Sequence, residues 1–391
     1  MRFNVRFSEL KGQGQLVLRV NALRSLPNAT ATTIATRAHM LADEQDLTLS
    51  LDVECETGLT YAILANLMDG EGTAAGLDVT VEAVDTPRDV TGYARATFLA
   101  EAAPAALANH VTWGPATLET PVSQMCTARQ FREPVYREWT HALNTEPTLH
   151  RKQWEFIYIL QALRQAGALI PGARGIGFGV GREPLPALFA SMGCSVVATD
   201  LAADDDRAHD WRETQQHIDS IEALRRPDLC PDLLFDRTVS FHAADMTRIP
   251  ANLRDFDFTW SSCAFEHLGS IAAGLAFVEA SLDCLKPGGV AVHTSEFNLS
   301  SNDDTIDDAG TVLFRRRDIE TLAIRLLRAG HDVAPLCYDI GTEPIDAHID
   351  VAPYADVPHL KLALAGYVTT SFGLIVRKRT KRRWFGRQGG V

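Results

Sequence analysis

At 391 residues the chain is longer than one average domain, so we expect two domains. Its formal net charge of −13 argues against nucleic acid as a main partner, because phosphate binding needs a basic surface. The seven cysteines are scattered without a C-x-x-C pair, which favours reduced thiols over a disulfide framework or a zinc site. No run of about 20 apolar residues is present, so we expect a cytoplasmic protein.

Residues 1–103 are predicted to form a small β-rich domain. Apolar and polar residues alternate without a break in Leu47–Cys55 and Leu77–Ala83, as is typical of half-buried strands. Weaker alternation predicts further strands at Gln15–Val20, Thr32–Arg37, Leu59–Leu67 and Tyr93–Leu99. Short strands separated by turns indicate an antiparallel sandwich. We favour a structural or dimerisation role over a module that recruits a substrate such as a glycan.

Residues 104–149 are irregular and rich in proline and threonine, so we expect a connector that crosses the mouth of the second domain. The next segment, His150–Gly167, has apolar residues at helical spacing and a terminal glycine, which predicts a helix. Trp154 and Tyr158 lie on this helix. Aromatic residues at helical spacing are usually core, so we favour a core position over contact with a cofactor.

The next segment combines a glycine-rich loop, a helical pattern and an apolar strand that ends in an acid. Pro184 suits the first turn of the helix, and Val196–Thr199 leads into Asp200. A loop of glycines can approach a ligand closely, and an acid at the carboxyl end of a parallel strand can bind ribose hydroxyls. This segment therefore predicts a site for a nucleoside-containing cofactor. Its alternating glycines are Gly175, Gly177, Gly179 and Gly181.

The segment from Leu201 to Arg237 is unusually long and polar for a connection inside a domain. One interpretation is a lid, in which Trp211 covers a purine and His209 or His217 meets a substrate. A solvated surface helix explains the same pattern equally well.

Strands and helices alternate along the rest of the chain, which predicts an α/β fold with a doubly wound, mostly parallel sheet. Asp245 ends the third strand, and Phe265-Glu266-His267 follows the fourth. Lys286-Pro-Gly-Gly289 turns into the fifth strand. The remaining elements are predicted as helices over 270–285 and 314–330 and as strands over 239–245, 256–263, 290–296, 334–338 and 371–376.

Residues 150–377 resemble class I S-adenosylmethionine-dependent methyltransferases. The glycine loop, Asp200, Asp245, Glu266-His267 and Lys286–Gly289 match motifs of that family in order. The resemblance implies a Rossmann-like methyltransferase domain and S-adenosylmethionine as its cofactor. It also implies the cofactor-binding residues, which are Gly177, Gly179, Gly181, Asp200, Leu201, Asp245, Met246 and Ser262.

In this family-based interpretation, Asp200 holds the ribose hydroxyls, and Asp245 with Met246 borders the adenine. One position departs from the family pattern, because Gly175 stands where an acid is usual. The methionine ammonium of the cofactor then needs another acceptor, such as Glu183 or a backbone carbonyl.

The resemblance also points to candidate catalytic residues at the mouth of the sheet. His267 is the first candidate for a general base, because histidine titrates near neutral pH. Glu266 lies beside it, and His293 and Glu296 at the end of the fifth strand are second candidates. We expect no metal, since acids in polar loops are usually solvated. The predicted reaction is O- or N-methylation of a polar small-molecule or sugar-containing, glycan-type acceptor.

Two other functions stay open at this point: an NAD(P)-dependent oxidoreductase and a catalytically silent cofactor-binding scaffold. The tail, residues 378–391, is densely basic. A disordered solubilising tail is the favoured interpretation, and a weak peripheral contact with anionic membranes through Trp384 and Phe385 is the other. The sequence does not indicate an oligomeric state.

Overall fold

The fold is taken from a computed structural model, which describes residues 1–12, 15–24, 31–41, 45–53, 55, 58–68, 71–83, 96–202, 220–308, 310–351, 354 and 357–380. The candidate lid residues Trp211, His209 and His217 lie outside the described residues, as do Trp384 and Phe385 of the tail. Within the described residues, no helix is long and apolar enough to cross a membrane.

The N-terminal residues form two antiparallel sheets that share one hydrophobic core. In the first, β1 is paired with β4, β6 and β7, and in the second, β2 lies between β3 and β5. Phe3, Val5 and Phe7 of β1 pack in this core with Leu18 and Val20 of β2. The strands are β1 (Arg2–Gly12), β2 (Gln15–Arg24), β3 (Thr32–Met40), β4 (Gln45–Asp52), β5 (Leu59–Met68), β6 (Gly72–Thr73) and β7 (Gly76–Glu82).

Periodicity predicted β2, β3, β4, β5 and β7, but it did not predict β1, which is the central strand of the first sheet. The predicted strand at Tyr93–Leu99 is wrong at its end, because Thr97–Ala100 forms a 3-10 helix. Residues 84–95 lie outside the described part of the chain.

The remaining described residues are built around one large mixed sheet. Its strands are β8 (Val111–Thr112), β9 (Ser123–Met125), β10 (Arg174–Phe178), β11 (Ser195–Asp200), β12 (Val239–Ala243), β13 (Phe256–Ser262), β14 (Leu285–Asn298), β15 (Asp332–Val333), β16 (Leu336–Cys337), β17 (Lys361–Leu364) and β18 (Tyr367–Arg377). Its α-helices are α1 (Pro134–Ala142), α2 (Arg151–Gln165), α3 (Leu185–Ser191), α4 (Asp232–Thr238), α5 (Ile271–Ser281) and α6 (Arg316–Arg328).

The strand order in this sheet is β12-β11-β10-β13-β14-β18-β9-β16-β8, with β15 and β17 also paired to β18. The five strands from β12 to β14 are parallel, whereas β18 runs antiparallel to β14. The order reverses between β10 and β13. In an open α/β sheet, ligands bind outside the carboxyl ends of the strands at such a reversal.

Helices pack on both faces of the parallel strands. Phe258 and Trp260 of β13 share one core with α2 and α3. On the other face, Ile176 and Phe178 of β10 share a second core with α5 and α6. The predicted doubly wound α/β arrangement is therefore confirmed.

Residues 104–149 are not an irregular connector. They include β8 and β9, which pair in the large sheet, and helix α1, which packs against α2. The Trp139 indole donates a hydrogen bond of 2.9 Å to Gln161, which joins the two helices. Periodicity did not predict these elements, because β8 and β9 have only two and three residues and prolines interrupt the segment. The proposed boundaries at residues 103, 149 and 377 stay predictions.

Trp154 and Tyr158 are core residues, as favoured from the sequence. Both are 0% exposed, and their rings stack with centroids 4.9 Å apart. The Tyr158 hydroxyl donates to the Val122 carbonyl, so its polar end is satisfied inside the core. The Tyr158 ring also lies against Gly373 of β18, and the first turn of α2 lies above the carboxyl ends of β13 and β14.

Candidate cofactor and active site

The four alternating glycines have two different structural roles. A Cβ atom at Gly175 would lie 2.3 Å from the Phe258 ring, and one at Gly177 would lie 2.3 Å from the Trp260 ring. These two glycines, inside β10, make room for the aromatic side chains of β13. Gly179 and Gly181 follow the strand with φ of +59° and +49°, so they make the turn itself. Gly177 therefore makes room for Trp260, and its predicted contact with a cofactor stays a prediction.

The same packing explains why the position expected to hold an acid is Gly175. Any side chain there would overlap the Phe258 ring. Glu183, one of the two acceptors suggested from the sequence, is buried and accepts a hydrogen bond of 2.5 Å from the Trp260 indole. Burial raises the pKa of Glu183 to about 8, so this carboxyl is mainly protonated near neutral pH.

The raised pKa of Glu183 predicts a specific pH dependence of stability. From its ordinary pKa of 4.5 to about 8, the folded chain holds a proton that the unfolded chain lacks. The contribution of Glu183 to folding therefore weakens as the pH rises through this window. A Glu183→Gln variant keeps an acceptor for Trp260 and cannot ionise, so we expect it to be more stable than wild type above pH 8. Urea denaturation from pH 5 to 9 measures this difference, and parallel profiles of the two proteins would contradict it.

The carboxyl ends of β11 and β12 meet the glycine loop. One carboxylate oxygen of Asp200 accepts from the Gly181 amide at 3.2 Å, and the other accepts from the Leu201 amide at 2.9 Å. Met246 packs against the turn, with its sulfur 3.3 Å from where a Cβ at Gly179 would lie. These five predicted cofactor residues are thus brought together at the reversal of the strand order.

Asp245 lies beside this group at the end of β12. One of its carboxylate oxygens accepts from both the amide and the hydroxyl of Thr247 at 2.7 Å. This local turn holds the carboxylate in place after the strand, at the position where the family-based interpretation puts the adenine.

A charged cluster with buried carboxylates and a partly exposed lysine covers the carboxyl ends of β13 and β14. We define it as Arg151, Lys152 and Glu155 of α2 with Glu266 and Glu296. Glu155 is 0% exposed, and the Lys152 ammonium lies 3.1 Å from its carboxylate. Arg151 forms ion pairs with Glu155 and Glu296.

Ser262, the last residue of β13, is held by the charged cluster. Its hydroxyl donates to Glu155 at 3.1 Å, and its carbonyl accepts from Lys152 at 2.9 Å. Ser262 therefore faces the helix, whereas the resemblance implies contact with the cofactor. Sequence reasoning missed the three charged residues of α2. A signal was available in the sequence: Glu155 follows Lys152 by three residues and Arg151 by four, so the three charged side chains share one face of a helix that is otherwise mainly apolar.

Cys263, Glu266 and Glu296 form a close group within this region. Cys263 has a left-handed backbone, with φ of +47°, which turns its sulfur to 2.9 Å from a carboxylate oxygen of Glu155. One ligand-capable atom from each of the three residues lies within 4.8 Å of the others. Burial raises the pKa of both Glu266 and Glu296.

The two candidate histidines have different environments. His267 is half-buried, and its Nδ1 lies 3.0 Å from the Gly310 carbonyl. Burial lowers its pKa to about 4, so the ring is neutral at pH 7. The nearby charge of Glu296 raises that pKa in part, which places His267 beside the charged cluster.

His293 does not face the mouth of the sheet, and this expectation is wrong. It is 0% exposed, with Nδ1 2.8 Å from the Ser261 hydroxyl and Nε2 3.1 Å from the Ser281 hydroxyl. Phe277 packs edge-on against the ring. Both ring nitrogens are thus satisfied inside the core, because residues alternate sides along β14 and only Glu296 reaches the charged cluster.

No protein-family model matches the chain, and no curated protein matches it by sequence. Solved structures similar to it include a protein described as a sarcosine dimethylglycine methyltransferase from Galdieria sulphuraria, with 16% identity, 64% of this chain and 90% of that chain covered, and a TM-score of 0.37. Magnesium protoporphyrin IX methyltransferase from Synechocystis, solved with bound SAH, has 12% identity, 64% and 97% coverage, and a TM-score of 0.35.

A protein described as a zinc-dependent alcohol dehydrogenase from Rhodobacter sphaeroides has 13% identity, 56% and 89% coverage, and a TM-score of 0.33. All three scores lie below 0.5.

Proposed function

We propose that the chain is an S-adenosylmethionine-dependent methyltransferase acting on a polar small-molecule or sugar-containing acceptor. The observation that carries this proposal is the meeting of the glycine turn, Asp200 and Met246 at the reversal of the strand order. A carboxylate and backbone amides there suit a ribose, and an apolar side chain suits the face of a purine. The charged cluster beyond the ends of β13 and β14 leaves polar groups for an acceptor.

The direction of β18 favours this function over a dinucleotide-dependent oxidoreductase. A dinucleotide-binding sheet is built from two βαβαβ halves, which supply six strands in the order 3-2-1-4-5-6. Here β12, β11 and β10 form one half, and β13 and β14 begin the second. The next strand, β18, runs antiparallel to β14, so the second half is incomplete. The sheet therefore supports a site for one nucleoside, centred on β10 and β11.

Methyl transfer from a sulfonium is an in-line displacement, and the bound cofactor supplies the activated methyl group. The protein then has to hold the acceptor atom close to the methyl carbon and in line with the departing sulfur. We assign the ribose hydroxyls to Asp200 and the adenine to the side of Met246 and Asp245. Glu183, beside the turn, is the candidate acceptor for the methionine ammonium, whose positive charge would lower the pKa of Glu183 and favour its ionised form.

Removing the proton of the acceptor needs a base whose pKa is near the working pH. His267 is neutral at pH 7 but has a pKa of about 4 in the chain without ligand, which makes it a weak base there. Burial raises the pKa of Glu266 toward the useful range. We therefore propose Glu266 as the base and His267 as a neutral hydrogen-bonding group beside it.

Thermal unfolding with added ligands tests the cofactor assignment. We expect S-adenosylmethionine and S-adenosylhomocysteine to raise the unfolding temperature, because a ligand that binds only the folded state stabilises it. NAD and NADP at the same concentrations are the matched controls. Stabilisation by a nicotinamide cofactor without stabilisation by S-adenosylmethionine would contradict the proposal.

A catalytically silent scaffold is the remaining alternative. Incubation with methyl-labelled cofactor and a cell extract separates it from an enzyme: a labelled product supports transfer, and cofactor binding without any product supports the scaffold.

For the N-terminal sheets we propose an accessory structural or dimerisation domain in a cytoplasmic protein. Analytical ultracentrifugation of residues 104–391 beside the full chain tests the dimerisation role.

A further inference from the structure

The group formed by Cys263, Glu266 and Glu296 has the features of a metal site. One ligand-capable atom from each residue lies within 4.8 Å of the others. Both glutamates are more than nine-tenths buried, and each has one carboxylate oxygen without a well-formed hydrogen bond among the described residues, although the Cys263 thiol lies near Glu266 and the Thr369 hydroxyl lies near Glu296. An unpaired buried carboxylate oxygen is costly, because it has lost water without gaining a donor or a cation. These oxygens are therefore positioned for a ligand.

The oxygens that are already engaged orient the free ones. Glu266 accepts from the Ser295 hydroxyl through Oε2 at 3.1 Å, which leaves Oε1 free. Glu296 is paired with Arg151 through Oε1, which leaves Oε2 free. Each carboxylate is thus held by a neighbour and presents its second oxygen. In metal sites, neighbouring groups orient the metal-binding side chains by hydrogen bonds in the same way.

The net charge of the cluster also favours binding of a cation. Three buried carboxylates, those of Glu155, Glu266 and Glu296, lie beside the two cations of Arg151 and Lys152, so one negative charge is in excess when all three are ionised. If Cys263 binds a metal it does so as a thiolate, which adds a second negative charge. A divalent ion would then leave the region without net charge.

We infer that Cys263, Glu266 and Glu296 bind one divalent metal ion, preferably zinc. A thiolate with two carboxylates suits zinc, which takes sulfur and oxygen ligands in tetrahedral sites. Its bonds of about 2.0–2.3 Å separate the ligand atoms by about 3.3–3.8 Å, so side-chain shifts on the order of 1 Å close the site. Three protein ligands leave a fourth position open.

The open position lies beyond the ends of β13 and β14, where the acceptor is placed in the proposed function. The role of the metal rests on that proposal and changes the part assigned to Glu266. As a metal ligand Glu266 would no longer be the base, and the ion would instead hold the acceptor hydroxyl and lower its pKa. Metal binding itself depends only on the three side chains and is testable without any assay of methyl transfer.

The test is a titration of the full chain, freed of metal by a chelator, with Zn²⁺ in competition with a chromophoric chelator. We expect one tight equivalent in the wild type. Cys263→Ser, Glu266→Gln and Glu296→Gln should each weaken it at least about 10-fold. Glu320→Gln, which alters a buried carboxylate paired with Arg316, and Cys284→Ser are the matched controls and should bind as wild type. Absence of a tight equivalent, or unchanged binding in Cys263→Ser, would overturn the inference.

A second measurement applies if a variant does not fold. Co²⁺ bound by the wild-type chain should show an intense thiolate-to-cobalt absorption, and its absence would overturn the role of Cys263. Thermal unfolding with S-adenosylmethionine, with and without Zn²⁺, separates this inference from the proposed function. Stabilisation by the cofactor in a chain that does not bind Zn²⁺ removes the metal site and leaves the methyltransferase assignment intact.

Discussion

Replacing Asp200 with Ala should weaken S-adenosylmethionine binding by about 1–3 kcal/mol, or roughly 5–150-fold in Kd. Asp200 ends β11 beside the glycine turn, and its two carboxylate oxygens hold the amides of Gly181 and Leu201. The variant loses the acceptors proposed for the ribose hydroxyls, and it also loosens the turn. Isothermal titration calorimetry with the cofactor measures the change.

Asp257→Ala is the matched control for Asp200→Ala. Asp257 is also half-buried and accepts from a backbone amide, that of Arg174, at 2.8 Å. It lies at the amino end of β13, on the opposite edge of the sheet, where it pairs with Lys286. We expect Asp257→Ala to leave the cofactor affinity unchanged. Equal affinities for wild type and Asp200→Ala would refute the assignment of Asp200 to the ribose.

Replacing Glu155 with Ala should lower the free energy of unfolding by about 3 kcal/mol, the lower end for breaking a buried ion pair, because Arg151 keeps Glu296 and Lys152 is partly exposed. The Glu155 carboxylate accepts from Ser262 and Ser371, and it neutralises Arg151 and Lys152. These contacts join α2 to β13 and β18. A single truncation therefore releases the helix from two strands of the sheet.

Urea denaturation measures this loss, with Glu138→Ala as the control. Glu138 forms an ion pair with Arg164 at 3.3 Å, in which both side chains are largely exposed. Exposed pairs contribute about 0–1 kcal/mol, so this variant should be close to wild type. If both variants lose similar stability, the buried cluster is not holding α2 on the sheet.

Much of the α/β fold follows from local pattern. Helix α2 was predicted from its periodicity and the terminal glycine, and β11 was predicted from its apolar run into Asp200. Such elements can be predicted because their signal lies within a few residues. The N-terminal strand β1 carries the same alternation, yet its place at the centre of a sheet depends on pairing with β4 and β7, which are distant in sequence.

In the glycine segment, the turn can be predicted from the sequence, but the packing of the strand before it cannot. The sequence predicts a tight turn near a ligand, and Gly179 and Gly181 make that turn with positive φ. It does not indicate that Gly175 and Gly177 make room for Phe258 and Trp260, since those rings come from a strand about 80 residues away. The departure at Gly175 is therefore a consequence of packing between β10 and β13.

The positions of the candidate residues His293 and Glu296 also depend on packing that the sequence does not show. His293 and Glu296 are three residues apart on β14, and from the sequence both are expected at the mouth. In a strand, residues three apart point to opposite faces, so His293 lies in the core and Glu296 lies in the charged cluster. The partners that decide this, Ser261, Ser281 and Arg151, come from three other elements.

The sequence by itself determined most of the strands and helices after residue 150, the glycine turn, Asp200 at the end of β11 and Asp245 just after β12, because periodicity and turn chemistry are local. Tertiary structure alone decided the charged cluster. Arg151, Lys152 and Glu155 meet Cys263, Glu266 and Glu296 only when α2 crosses the carboxyl ends of β13 and β14. Burial then raises the pKa of Glu266 and Glu296, and among the described residues it leaves one oxygen of each carboxylate without a well-formed hydrogen bond, since desolvation depends on what surrounds a group in space.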